Sequence, residues 1–462
     1  MGLAGVRRHP ANGRAGSDGR VVAVALLVFF ALLPLQWVVP VGSTPLGQGR
    51  MHQLAILGLT AFVLLHYRPR VHAPVLHTAA VFVLANLYMF GAIAATQFYR
   101  GEGFAGVLEP VLFLVSFVAL GGLVYRVAQG LEPASERALR WAAPVLIASL
   151  AIGLSVAMLV NGINPAAVLG QTVAQADPEV FQKEVFKAAF AGFGLDDDRV
   201  QGNLRHEMFG SALLAMTVST WAMRRGPAIT PREQFGYRVA MVAGVLLLTI
   251  SLSRSVLIAA AVWPLLVVLR SLRRGELSLR QIGLLMTALL GFGVLVLTGL
   301  GTVIFNRFAT ETTGYQARTD NYANALEALP DVWVVGGYVT ADVSSHNFIL
   351  DYLLRNGVFA AIPAVVIVAL VAAVVVLLAI RLHREPAWLV PVTAALVLPL
   401  VRLGTAGGGQ IPPVEWVALA FVAGVLASWR RSRSVVPVPP RHVAVPAGAD
   451  SYRTDPRSAS LA

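Results

Sequence analysis

The sequence predicts an all-α, polytopic membrane protein of about twelve transmembrane helices, and three observations indicate it. Of its 462 residues, 56% are hydrophobic and only 13% are charged, whereas a soluble domain carries about 25% charged residues. The mean hydropathy is +0.70. Long apolar runs recur along the whole chain without the alternation of a β-barrel strand, and a helix needs about 20 apolar residues to cross the bilayer core.

The apolar runs define the predicted spans in chain order, at 21–40, 52–67, 76–98, 104–127, 141–161, 208–223, 237–252, 255–271, 281–303, 357–380, 387–403 and 413–429. Four arginines precede the first span, which makes residues 1–20 a basic N-terminal segment. The apolar core of that span exceeds the roughly 7–15 residues of a cleavable signal peptide. We therefore interpret it as an uncleaved anchor.

Arginines in the short connections predict the orientation, because cytoplasmic loops carry an excess of basic residues. With a cytoplasmic N-terminus, one side of the membrane receives Arg68 and Arg70, Arg126, Arg137 and Arg140, Arg224, Arg225, Arg232 and Arg238, Arg273, Arg274 and Arg280, Arg381 and Arg384, and Arg430, Arg431 and Arg433. The net charge of +12 is thus interpreted as a topology signal, and no nucleic-acid partner is expected. The prediction is a multi-pass protein of the cytoplasmic (inner) membrane with both termini in the cytoplasm.

Three further segments complete the predicted organisation. The transmembrane domain covers 21–433, and the proline-containing polar stretch 434–462 is predicted to be a disordered cytoplasmic tail. Two long segments, 162–207 and 304–346, face outward, and loops beyond about 12–15 residues are usually functional or disordered. Within the first, 170–195 has apolar residues near helical spacing. This stretch is expected to be an amphipathic helix, either a lid over a lipid or a segment packed against the spans.

Arg254 stands between two apolar runs, 237–251 and 256–269. A guanidinium cannot shed its charge, so within a membrane it is tolerated at an edge or against a polar cavity. Two interpretations remain open from the sequence: Arg254 extends to the outer headgroups, or it binds an anionic ligand. The second interpretation marks the active face of the protein.

Several motifs follow one another between about 195 and 375. They are Arg199-Val-Gln-Gly202, Leu252-Ser253-Arg254-Ser255, the run from Arg318-Thr319 to Ala325-Leu326, and His346-Asn347-Phe348-Ile349-Leu350 leading to Asn356-Gly357. In the order and predicted sidedness of these motifs the chain resembles the O-antigen ligase and O-antigen polymerase superfamily. It departs from that pattern after Gly202, where an Asn-Pro-Asn-like turn is usual and Arg205-His206-Glu207-Met208-Phe209 stands instead.

The resemblance implies a GT-C-like fold and a membrane glycosyltransferase that inverts at the anomeric carbon without a metal or other cofactor. Its partners would be a polyprenyl diphosphate-linked glycan, an acceptor glycan or lipid, and membrane lipids. The resemblance assigns Arg199 and Arg254 to the diphosphate, with Arg318 as a further anion contact or the partner of a loop carboxylate. Bidentate arginines suit phosphate oxygens. It assigns His346 to the acceptor hydroxyl, whose proton a neutral imidazole accepts or orients.

Other assignments stay open at this stage. Arg205, His206 and Asn347 are secondary candidates for the site, and no metal site is predicted. Ligases and polymerases share the motifs and differ in acceptor, so the sequence does not separate them. A secondary transporter for an anionic solute is the alternative function, because twelve spans and outward arginines fit it too. The depth of the charged residues separates the two classes, since transporters bind their substrate near the bilayer midplane.

Overall fold

The computed structural model describes residues 15–36, 50–101, 105–160, 162–175, 198–225, 229–251, 253–276, 279, 283, 312–337, 347–405 and 411–434. Every regular element in these ranges is helical, which confirms the all-α prediction for this part of the chain. The α-helices, in order, are α1 Ala15–Leu32, α2 Met51–His66, α3 Ala73–Thr78, α4 Ala80–Tyr99, α5 Ala105–Ala128, α6 Pro133–Arg140, α7 Ala142–Val160, α8 Pro165–Gln175, α9 Asp198–Arg225, α10 Pro231–Ile250, α11 Arg254–Arg274, α12 Thr312–Val332, α13 Phe348–Asn356, α14 Val358–Arg381, α15 Leu389–Thr405 and α16 Pro413–Ser434.

Six helical segments in the described ranges are long and apolar enough to cross a membrane: Ala80–Tyr99, Gly106–Ala128, Ala142–Val160, Arg254–Arg274, Val358–Arg381 and Pro413–Arg433. A seventh is formed if α2 and the bent segment Pro69–Thr78, which meet at 113°, count as one span. These helices identify a membrane-embedded, all-helical protein. Twelve spans and the GT-C fold remain predictions, and the ninth predicted span, 281–303, falls almost wholly outside the described residues.

Several predicted boundaries differ from the structure. The first helix ends at Leu32 and not near residue 40, because Pro34 follows and disfavours helical backbone before it. The third predicted span is divided at Ala79 into α3 and α4. Helix α9 begins ten residues before the predicted start at 208. The described parts of the two outward segments are largely helical, in α8, the start of α9 and α12, while 176–197 and 338–346 lie outside the described residues.

Helices α5 and α16 form the most extensive packed pair in the described structure. A Cβ atom added at Gly424 of α16 would lie 2.4 Å from the carbonyl oxygen of Gly121 in α5. Small residues let membrane helices approach this closely and gain van der Waals contact. Trp416 of α16 packs edge-on against Phe82 of α4 and Phe117 of α5. This pair therefore anchors the centre of the helical bundle.

The predicted cytoplasmic arginines gather at one end of the bundle, which we call the basic end. Arg126 pairs with Glu132 at 2.8 Å, and Arg225 lies over the rings of Trp221 and Trp388. Helix α11 supplies further arginines that donate to carbonyl oxygens at and beyond the end of α14: Arg270 to Leu382 and Glu385, Arg273 to Ile380, and Arg274 to His383 and Glu385. Basic side chains thus satisfy carbonyls that a helix terminus leaves unpaired.

Candidate functional site

A second polar layer lies at the other end of the same helices, which we call the polar end. The starts of α2, α5, α9, α11 and α16 lie there together with the end of α15. The side chains gathered in this layer are Arg50, His52, Gln53, Glu109, His206, Glu207, Ser253, Ser255, Arg402 and Glu415. Charged groups this deep in a bundle are costly and usually functional.

The His206 side chain connects α9 to the start of α11 through contacts with two serines. Its Nδ1 atom contacts the Ser253 hydroxyl and lies 3.3 Å from the Ser255 hydroxyl. Ser253 is fully buried and immediately precedes α11, which begins at Arg254. A helix N-terminus exposes backbone N–H groups and a partial positive charge. With the Arg254 guanidinium added, the start of α11 is suited to an anionic ligand.

Glu207 pairs with His52 of α2. The His52 Nε2 atom lies 2.8 Å from Glu207 Oε2, and the two side chains are 1% and 11% exposed. The charges of Arg402 and Arg50 also act on this carboxylate. Because His206 and Glu207 are consecutive on α9, one helical turn directs an imidazole towards α11 and a carboxylate towards α2. The two contacts therefore belong to one continuous polar layer.

Two further contacts complete the layer. Arg402 of α15 donates through Nε to Glu415 Oε1 of α16 at 3.0 Å, with both side chains almost fully buried. Gln53 Nε2 donates to Glu109 Oε1 at 3.0 Å. Arg50 lies just before α2, where burial lowers its pKa and the carboxylates of Glu207 and Glu109 oppose that shift. An arginine keeps its charge in proteins, so Arg50 is a fixed cation beside these carboxylates.

Helix α13 holds the segment that follows His346. The Asn347 side chain accepts hydrogen bonds from the backbone N–H groups of Ile349 and Leu350, at 3.0 and 3.2 Å. This is an N-cap, which satisfies donors that a helix start leaves unpaired. Arg100, at the end of α4, donates to the Arg355 carbonyl at 2.6 Å. Helix α13 is thereby attached beside the end of α4.

Two glycines with positive φ let the turn after α12 pack closely against α13. Gly336 and Gly357 have φ of +68° and +78°, a region that other residues rarely adopt. A Cβ atom at Gly357 would lie 2.1 Å from the Val334 carbonyl oxygen, and one at Gly336 would lie 2.3 Å from the Arg355 carbonyl oxygen. The turn after α12 thus packs backbone to backbone against the end of α13.

The structure brings some of the predicted site residues together. Ser253 links Arg254 to His206 at the polar end, and Asn347 has the capping role given above. Arg199 and Arg205 lie on α9 and Arg318 lies on α12, but their side chains are outside the described part of the structure. His346 is outside the described residues altogether. The grouping of Arg199, Arg318 and His346 with Arg254 therefore remains a prediction.

Sequence reasoning missed the partners in the layer. His52, Glu109, Arg402 and Glu415 are not among the sequence-predicted site residues, and Glu207 is named only in the stretch that departs from the family pattern. Each of the four is an isolated ionisable residue in or beside an apolar run, which is a recognised sign of function in membrane proteins. That signal marks the residues but does not show which pairs they form.

No model of a known protein family matches the chain, and no curated protein matches it. Within the described ranges, no group of three or more His, Asp or Glu side chains is placed to hold a metal ion.

Proposed function

We propose that this protein is a membrane glycosyltransferase that moves a glycan from a polyprenyl diphosphate carrier to an acceptor hydroxyl, acting as a polysaccharide polymerase or ligase. One observation carries the proposal. Arg254 opens α11 beside the contact between Ser253 and His206, at one end of a membrane-embedded bundle. A fixed cation, a helix N-terminus and an imidazole thus adjoin at one end of the bundle. The ordered motifs that resemble the O-antigen ligase and polymerase superfamily support the same function.

A diphosphate leaving group fits this arrangement. The bond from the anomeric carbon to the diphosphate oxygen breaks while the acceptor oxygen bonds to that carbon, and the lipid diphosphate leaves with the electron pair. Arginines hold its oxygens bidentately and stabilise the charge that grows on them. Arg254, with Arg199 and Arg318, is assigned this role. His346 is assigned the proton of the acceptor hydroxyl, because a neutral imidazole accepts protons near pH 7.

The depth of the polar layer favours an enzyme over a transporter. His52 is the second residue of α2, Glu415 is the third residue of α16, and Arg402 lies in the last turn of α15. These three groups lie within about a turn of helix ends, where a lipid diphosphate is expected, whereas His206 and Glu207 are the ninth and tenth residues of α9. Transporters place their binding groups near the midplane, commonly where helices are broken. The layer therefore suits a substrate that enters sideways from the membrane edge.

Deletion of the gene, followed by analysis of surface polysaccharide and lipid-linked intermediates, tests the proposal. Accumulation of single repeat units on the lipid carrier is expected for a polymerase, and accumulation of full-length unattached chains is expected for a ligase. Unchanged polysaccharide together with impaired uptake of an anionic solute would reject the enzyme and favour the transporter.

A further inference from the structure

The pair formed by His52 and Glu207 is enclosed in the bundle. Both ring nitrogens of His52 and the Oε2 atom of Glu207 are buried, and apart from the 2.8 Å approach of Nε2 to Oε2 they find no hydrogen-bond partner among the described residues. A buried polar atom without a partner costs about 1–3 kcal/mol. The Nδ1 atom of His52 is the clearest case, since the described part of the chain offers it no hydrogen-bond partner.

The ionisable groups around this pair include one more carboxylate than arginine. Three carboxylates, those of Glu109, Glu207 and Glu415, interact with one another or with Arg50 and Arg402. Two arginines therefore face three carboxylates, from α5, α9, α15, α16 and the residue before α2. On the other side of α9, His206 faces Ser253 and Ser255, with Arg254 next to them. Low-dielectric surroundings penalise an uncompensated charge, so a proton shared within the group is favoured.

The enclosure restricts what this group binds. The facing atoms have almost no exposed surface, so a sugar ring would reach them only if the helices separated. A proton is small enough to reach them without such a separation. The hydroxyls of Ser253 and Ser255 and the His206 ring are the polar groups on the Arg254 side of α9.

We propose that His52 and Glu207 form a buried proton-binding pair that takes up the proton released when the acceptor hydroxyl is glycosylated. This inference rests on the proposed function. The proton leaves the acceptor hydroxyl as the new carbon–oxygen bond forms, passes to the group that touches the hydroxyl, and is then taken up by the pair. It later returns to bulk water. His52 and Glu207 thus act through other groups, as positioning residues for the proton.

The test compares Glu207→Gln and His52→Gln with a matched control, Glu132→Gln. Glu132 belongs to the Arg126 pair at the basic end, which has the same 2.8 Å separation and similar carboxylate exposure, 9% against 11%. Each protein is purified in lipid nanodiscs. Infrared pH titration counts the carboxyl groups that gain or lose a proton, and transfer from a lipid diphosphate-linked glycan is measured across pH.

We expect one infrared-detected proton-binding step to disappear or shift in both pair variants and to persist in Glu132→Gln. We also expect the kcat for transfer to fall about 100-fold with an altered pH profile, the lower end of the roughly 10²- to 10⁴-fold that positioned proton transfer contributes to catalysis, while the KM for the donor stays the same. Wild-type infrared and pH profiles in both pair variants would overturn the inference. Absence of transfer by the wild-type protein would reject the proposed function instead, and the infrared titration would still decide whether the pair binds a proton.

Discussion

Arg402 and Glu415 form the most deeply buried ion pair in the described part of the chain, with side chains 3% and 0% exposed. Removing one partner of such a pair leaves an uncompensated charge, which costs about 3–5 kcal/mol. We expect Arg402→Leu to lower the free energy of unfolding by that amount and Arg402→Leu with Glu415→Leu to recover most of it. Unfolding of the purified protein in detergent measures both. A single variant as stable as the wild type would contradict the pairing.

Single residues also show what the sequence reveals and what it does not. Arg254 was predictable, because a permanent cation between apolar runs requires a special place whatever its neighbours are. The partnership of His52 with Glu207 was not predictable. Those residues belong to helices far apart in sequence, and the start of α2 meets the start of α9 only because the bundle packs them side by side.

Helix α10 begins with a reciprocal cap, ahead of the predicted span 237–252, that gives the protein an acid-sensitive element. The Thr230 backbone N–H donates to Glu233 at 2.8 Å, and the Glu233 N–H donates to the Thr230 hydroxyl at 3.3 Å. Burial would raise the pKa of Glu233, but these hydrogen bonds and the charge of Arg140 outweigh it and hold the pKa below its ordinary value. The folded state therefore favours the ionised carboxylate.

This lowered pKa predicts a loss of stability in acid. The stabilisation is complete above the unfolded pKa of Glu, about 4.3, and is lost as the pH falls through the lower folded value. We expect Glu233→Gln to flatten the dependence of Tm on pH between neutral and acidic conditions, and Thr230→Ala to cost about 1 kcal/mol. Thermal unfolding in detergent checks this. An equally steep acid dependence in Glu233→Gln would refute the account of this cap.

Substitution of Gly357 tests whether close packing against the turn after α12 fixes the position of α13. Its φ of +78° and the 2.1 Å approach of an added Cβ atom to the Val334 carbonyl leave no room for alanine. We expect Gly357→Ala to cost about 1–3 kcal/mol through backbone strain and to reduce transfer, because α13 carries the segment after His346. Gly58→Ala in α2 is the matched control, since no atom lies within 4 Å of its added Cβ. Equal behaviour of the two variants would show that α13 does not need this turn.

The membrane spans were predicted well where the length of an apolar run alone determines the helix. The cores of the described spans follow the predicted ranges, because the bilayer requires about 20 apolar residues whatever the packing. The break at Ala79 was missed, since no glycine or proline stands between Val75 and Phe90 to mark it. Within the outward segments, the predicted amphipathic helix 170–195 overlaps, among the described residues, only the end of α8, and the start of α9 and the whole of α12 were missed because their mixed polarity was interpreted as loop.

At the scale of the whole molecule, the two polar ends predict sidedness. Helix α8 follows the end of α7 opposite the basic end, and Arg384 follows α14 at the basic end. The chain contains no cysteine, so single substitutions report accessibility without a background. We expect a membrane-impermeant maleimide to label exposed Ala166→Cys from outside intact cells and to label Arg384→Cys only after permeabilisation. The reverse pattern would invert the predicted topology.

The central claim is that Arg254 binds the diphosphate of a lipid-linked glycan at the start of α11. Its most direct measurement is glycan transfer by the purified protein in liposomes that contain a polyprenyl diphosphate-linked glycan and an acceptor. Arg254→Ala is expected to lower the rate about 100-fold or more, as loss of a group that stabilises transition-state charge does, with Arg384→Ala at the basic end transferring normally. Transfer by Arg254→Ala at the wild-type rate would contradict the claim.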